Sequence, residues 1–131
     1  MQTIHFINHN SALQSAQTLS VLHKLCPEKT RLIWLVDDEK SAKELINWIW
    51  QQDLWIVADL VSENLPGIAL AWPGLTLPTN VALLNSSSLS LESYRQPALT
   101  ELVHRDNKIE MRKRFKFYQQ QGINLSFEKI E

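Results

Sequence analysis

The chain has 131 residues, 44% of them hydrophobic, enough to bury one core and too few for two, so a single domain over residues 1–131 is expected. Thirteen lysines and arginines against 14 aspartates and glutamates leave a formal net charge of −1, which argues against a surface that holds nucleic-acid phosphates all over. The lone Cys26 excludes an intramolecular disulfide and a cysteine-based zinc cluster, and no apolar stretch approaches the roughly 20 residues that cross a bilayer.

The start M-Q-T-I-H-F-I lacks a basic region followed by a long apolar run, so a cytoplasmic protein is expected. Thr3 to Ile7 is short, apolar and rich in β-branched residues, which predicts a first strand. Asn8 to Ser11 offers turn and N-cap chemistry for a helix on which Ala12, Ala16, Leu19, Leu22, His23 and Leu25 recur at helical spacing until Pro27 ends it. Arg31 to Val36 reads R-L-I-W-L-V, too short for most helices and continuous rather than alternating. That is the pattern of a strand covered on both faces. Asp37 or Asp38 caps the next helix, Glu39 meets the favourable end of its dipole, and Ala42, Leu45, Ile46 and Ile49 form its inward stripe.

This second helix ends in a tryptophan cluster, Trp48, Trp50 and Trp55, around the turn from Gln51 to Leu54. Trp48 and Trp50 are two apart on a helix and point about 160° away from each other, so at least one faces outward. Exposed tryptophan is enriched at the energetic centres of protein interfaces, which makes this a candidate docking face. Leu54 to Val61 predicts a strand or extended edge, and Asn64-Leu65-Pro66-Gly67 a turn. Ile68 to Trp72 reads I-A-L-A-W and runs into a second turn at Pro73-Gly74. Another strand fits Asn80 to Leu84, Asn85 to Ser90 is polar and small and predicts a loop, and Pro97 precedes a short apolar run from Ala98 to Val103. Strands alternating with helices predict an α/β fold, a three-layer α/β/α sandwich with a mostly parallel, Rossmann-like sheet.

With only Gly67, Gly74 and Gly122 available, neither a phosphate-binding loop nor a dinucleotide fingerprint can be built, and no cofactor is expected. His5, His9, His23 and His104 show no paired spacing with carboxylates, so structural roles suffice for them and no metal site is expected. The best enzymatic candidate is Asp37-Asp38-Glu39-Lys40 at the end of a central strand, where carboxylates beside a lysine could hold a divalent cation for phosphodiester hydrolysis. Helix capping explains the same residues more simply. Ser86, Ser87 and Ser88 sit in no nucleophile elbow and have no identifiable base.

The stretch from Asp106 to Gln121, D-N-K-I-E-M-R-K-R-F-K-F-Y-Q-Q-Q, predicts a last helix that stops at Gly122. Arg105, Lys108, Arg112, Lys113, Arg114 and Lys116 stand against Asp106 and Glu110, a local charge of +4, while everything else carries −5. At roughly 100° per residue, Lys108, Arg112, Phe115 and Lys116 fall within one third of the circumference, with Met111 and Tyr118 turned to the core and Phe115 at the border. An aromatic among three cations suits a ligand that is part carboxylate and part ring. A solvated face is the simpler reading of a basic helix. Direct binding of single-stranded nucleic acid is a third, although the cations are confined to one helix.

The segment R-K-R-F-K-F-Y-Q-Q-Q-G-I-N-L, Arg112 to Leu125, resembles the carboxy-terminal signature of the chi subunit of bacterial DNA polymerase III, approximately R-x-R-Y-K-x-Y-x-x-x-G-x-N-L. The likeness extends to the first strand near Ile4 to Ile7, to D-D-E-K followed by a helix ending at Trp50, to I-A-L-A-W-P and to N-V-A-L-L-N. The resemblance implies a non-catalytic clamp-loader subunit that pairs with the psi subunit. It also implies a grip on the acidic carboxy-terminal tail of the single-stranded-DNA-binding protein (SSB), which ends in a phenylalanine carboxylate preceded by aspartates. By motif position the implied SSB-tail site comprises Val103, Lys108, Arg112, Phe115 and Lys116, with Phe115 where the family usually has tyrosine. The implied psi-facing surface comprises Trp50, Trp55, Val57 and Ala58, with Val57-Ala58 where the family tends to show Pro-His. DNA would be met mainly through SSB.

Overall fold

In the computed structural model the residues described are 3–27, 30–52, 57–61 and 67–130. They form, in chain order, β1 (Thr3–Asn8), α1 (Ala16–Leu25), β2 (Leu32–Leu35), α2 (Glu39–Gln51), β3 (Ala58–Leu60), β4 (Ile68–Ala71), β5 (Ala82–Asn85), β6 (Leu99–Val103), α3 (Lys108–Gln120) and β7 (Asn124–Lys129). The strands make one sheet in the order β3-β4-β2-β5-β6-β1-β7, and every pairing is parallel. The fold is therefore an α/β sandwich with a Rossmann-like sheet, more uniformly parallel than the sequence pattern required.

Both faces of that sheet are covered. Val21 and Leu22 of α1, with Ala42, Leu45, Ile46 and Ile49 of α2, pack on one face against Trp34, Leu70 and Leu84. Met111 and Tyr118 of α3, with Leu91 from the connection between β5 and β6, pack on the other against Phe6, Leu35 and Leu99. Double coverage explains why β2, β4 and β6 are buried along their whole length and why the first two read as unbroken apolar runs.

Three sequence expectations shift. Helix α1 starts four residues after Ala12, capped by Ser15, whose hydroxyl accepts from the Thr18 N–H. The preceding segment is held away from helical geometry by His9 Nδ1, which accepts from the Ser11 N–H, and by the Ser11 carbonyl, which accepts from Arg105 N–H. Asn85 belongs to β5 rather than to a loop, buried because its amide is bonded into the core. Strand β7 lies beyond the last element that the sequence predicts: N-L-S-F-E-K carries two apolar residues and lies mostly exposed at an edge. Leu54 and Trp55, and the turn residues Asn64 to Pro66, lie outside the described residues.

Asp38 caps α2, its carboxylate accepting from the Ser41 N–H at 2.7 Å, a bond that holds its pKa below the ordinary value. Helix α3 ends at Gly122 in the left-handed region (φ +73°), with Gly122 N–H donating to the Gln119 carbonyl and Ile123 N–H to the Tyr118 carbonyl, both at 3.1 Å. This pair of bonds satisfies the last turn and reverses the chain directly into β7. Among the described residues no helix is long and apolar enough to cross a membrane.

Candidate functional site

The connection from β6 through α3 to β7 passes over β1, and the helix thereby roofs the end of the sheet. Its first turn is pinned by Asn107, whose side chain accepts from His104 N–H at 2.8 Å and donates to the Leu102 carbonyl at 3.0 Å. This anchorage sets Lys108 beside the end of β1, where its ammonium donates to the Asn10 side chain. Phe6 of β1 meets the Phe115 ring edge-on at a centroid distance of 5.1 Å and the Tyr118 ring at 5.9 Å.

Between helix and sheet lies a pocket of about 530 Å³. The sheet contributes Phe6, Asn8, Val103 and Phe127, and the helix contributes Lys108, Met111, Arg112, Phe115, Lys116 and Gln119. All five residues of the SSB-tail set implied by resemblance, Val103, Lys108, Arg112, Phe115 and Lys116, thus border one cavity. Their spacing explains it: positions 108, 112, 115, 116 and 119 stack along one side of a helix. Val103, one strand away, reaches the cavity floor because β6 pairs with β1, Asn8 opposite Val103.

Chemically the cavity has an apolar floor and a cationic rim. No carboxylate is among its lining residues. The Asn8 Oδ1 atom is buried with no hydrogen-bond partner among the described residues, a polar group that a ligand would satisfy directly or after rotation of the amide. Phe127, which the sequence alone does not single out, is 60% exposed and lines the same pocket as Phe115. It stands opposite Phe6 in the β1–β7 register. The signal available was the Leu125–Phe127 alternation after Gly122, readable only once that segment is known to be a strand.

Arg114, part of the basic stretch in sequence, is elsewhere. It is buried and donates to Glu101 Oε1 at 2.9 Å and to the Ser87 carbonyl at 3.2 Å. Glu101 also accepts from the Tyr118 hydroxyl at 2.5 Å and from Asn85 at 2.8 Å. Burial pushes the Glu101 carboxyl upward in pKa, and Arg114, Tyr118 and Asn85 pull it back down. Burial, and then the Glu101 charge, push the Tyr118 phenol upward. The Tyr118 oxygen accepts from Leu91 N–H at 2.6 Å, so this network ties α3 to the helix-free connection after β5. A carboxylate inside the buried run L-T-E-L-V was its sequence signature.

Behind the rim, His9 and His104 directly follow β1 and β6. His9 is fully buried, its Nε2 shared with the Thr18 hydroxyl at 2.8 Å, and its pKa is lowered by burial and then by His104. His104 is lowered chiefly by burial, and its Nδ1 accepts from Asp106 N–H.

The tryptophan face lies at the opposite edge of the sheet. Trp50 is 63% exposed and Val57 61% exposed, while Trp48 is half-buried against the core. Ala58, also in the implied psi-facing set, is buried at 1% exposure, because its side chain points into the core from β3; only its carbonyl reaches Trp50, accepting from the indole N–H at 2.9 Å. Trp55 lies outside the described residues. Asp37, at a small cleft of about 140 Å³, accepts from the Ser88 N–H at 2.6 Å and the Ser88 hydroxyl at 2.9 Å. The two aspartates of the enzymatic candidate are thus engaged as structural acceptors, and among the described residues no cluster of three metal-binding side chains occurs. No protein-family model and no curated protein matches the sequence.

Proposed function

We propose that this chain is a chi-like accessory subunit of a bacterial DNA polymerase III clamp loader, without catalytic activity of its own, that binds the acidic carboxy-terminal tail of SSB. The observation that carries the reading is the convergence of Lys108, Arg112 and Lys116 around an apolar cavity walled by Phe115, Phe127 and Val103. A terminal phenylalanine offers a ring for the floor and a carboxylate for the rim, and preceding aspartates meet the remaining cations. Phe115 keeps the apolar wall that a tyrosine would give and lacks its hydroxyl.

The exposed Trp50 and Val57 would receive psi. Six inter-strand gaps separate β3 from β7, roughly 28 Å at ordinary strand spacing, so the two partners would occupy opposite edges without collision. Such separation suits a subunit that links a replicase to SSB-coated DNA.

Calorimetry with an acidic peptide ending in a free phenylalanine carboxylate tests the reading, with the same peptide amidated as control. Binding by the free acid and at least tenfold weaker binding by the amide is the expected result, on the order of one charge-assisted contact. Equal binding of the two would remove the terminal-carboxylate pocket. Tighter binding to random single-stranded DNA than to either peptide would favour direct nucleic-acid binding by α3.

A further inference from the structure

The two edges of the sheet are finished differently. At β3 the ladder to β4 uses the Val57 carbonyl, which accepts from Ile68 N–H, and the Val61 N–H, which donates to the Leu70 carbonyl, both at 2.9 Å. Ala58 and Leu60 therefore turn their backbone groups outward. Side chains take these up: the Trp50 indole donates to the Ala58 carbonyl at 2.9 Å, and Leu60 N–H donates to the Asp59 carboxylate at 2.7 Å.

At β7 the Ile130 N–H donates to the Asn8 carbonyl at 2.8 Å, which fixes the phase of the strand. Asn124, Ser126 and Glu128 turn their backbone toward β1, and Leu125, Phe127 and Lys129 turn theirs away. Among the described residues nothing bonds these outward amides and carbonyls. The register with β1 runs unbroken from Asn124 to Lys129, so no bulge bends the edge out of reach, and no proline blunts it.

The same three residues share a face by strand alternation, and Phe127 puts that face at the pocket. The strand's one carboxylate, Glu128, lies on the other face, paired with Lys24. An open row of main-chain donors and acceptors thus borders a cavity whose rim is cationic.

We infer that β7 takes up an extended acidic peptide as an eighth strand, the upstream part of the same peptide whose terminal ring fills the pocket beneath α3. The inference rests on the peptide reading proposed above and adds a second recognition element to it. Main-chain pairing holds the upstream segment whatever its side chains, provided that it is extended and free of proline at the paired positions. The pocket then reads the terminal residue, and the edge reads backbone.

The test compares, by calorimetry on the full chain, a free-acid tripeptide of two aspartates and phenylalanine with a nine-residue peptide that precedes it with alternating aspartate and threonine. Two further versions carry N-methyl groups on one or the other alternate set of upstream amides. The long peptide is expected to bind about tenfold tighter than the tripeptide, with one N-methylated version losing the gain and the other keeping it. Lys129→Pro, which removes an outward donor and spares the inward bonds of β7, is expected to lose the gain; Lys129→Gln is expected to keep most of it. Tripeptide affinity is expected to be equal in the two variants, since both remove the same cation and neither touches the pocket lining. Equal affinity of long and short peptides, or a gain that survives both N-methylations, overturns the strand and leaves the pocket. Failure of every peptide to bind overturns both. A peptide-free dimer abolished by Lys129→Pro would give the edge to a second copy and overturn the inference.

Discussion

Arg112 and Arg114, two residues apart in the chain, lie on opposite sides of α3: Arg112 is exposed at the pocket rim, and Arg114 is buried against Glu101 at 2.9 Å. Two steps along a helix rotate a side chain by about 200°, so one basic motif serves two purposes. Arg112 is available to a ligand, and Arg114 holds the helix that presents it.

Opposite outcomes are expected for the same substitution at the two positions. Arg114→Met leaves Glu101 buried without its cation and should destabilise the fold by about 3–5 kcal/mol. Arg112→Met should change stability by less than about 0.5 kcal/mol while weakening the acidic peptide roughly tenfold or more. Denaturant melts and calorimetry on both variants separate the roles; equal stability loss would place Arg112 in the same framework as Arg114.

Phe127 offers a test that does not involve charge. Its ring is 60% exposed, so Phe127→Ala should cost little stability. Peptide affinity should nevertheless drop about fivefold or more, through loss of an aromatic wall in contact with the terminal ring. An unchanged affinity would mean that the ring does not border the bound ligand.

At the other edge, Trp50→Ala should abolish capture of a psi partner while lowering stability by only about 1 kcal/mol, the order of its indole–carbonyl hydrogen bond. The buried Trp34, with no exposure, is the contrasting case: Trp34→Ala should cost about 3–5 kcal/mol. A pull-down with purified psi and parallel melting curves read both variants. Retained capture by the Trp50 variant would remove this face from the partner surface.

His9 and His104 give the fold an acid-sensitive corner. Both have pKa values lowered from 6.5, by burial first, so the folded chain keeps them neutral while the unfolded chain takes up protons. Their contribution is complete above about pH 6.5 and is lost as the pH falls from there through the folded-state values. Unfolding free energy should therefore decline between pH 7 and pH 5.5, and more steeply in the wild type than in His9→Gln. Parallel pH profiles for the two chains would rule out the His9 contribution.

Local sequence was enough for the alternation of strands and helices, the doubly covered β2, a cap at Asp37 or Asp38, the inward stripe of α2 and the angular grouping of Lys108, Arg112, Phe115 and Lys116. These follow from local periodicity, which one segment carries alone. That Phe6, Asn8 and Phe127 complete a cavity with that helix face comes from the assembled sheet, because β1 and β7 are separated by more than a hundred residues and meet through sheet order. Tertiary packing also tied Arg114, one of the cations of the basic stretch, to Glu101 and withdrew Ala58 from the surface beside Trp50, since burial depends on which element packs above a residue and not on its neighbours in sequence. Strand β7 shows the same division: its two apolar residues signal little by themselves, and it becomes a strand because β1 offers a free edge on which Gly122 deposits it.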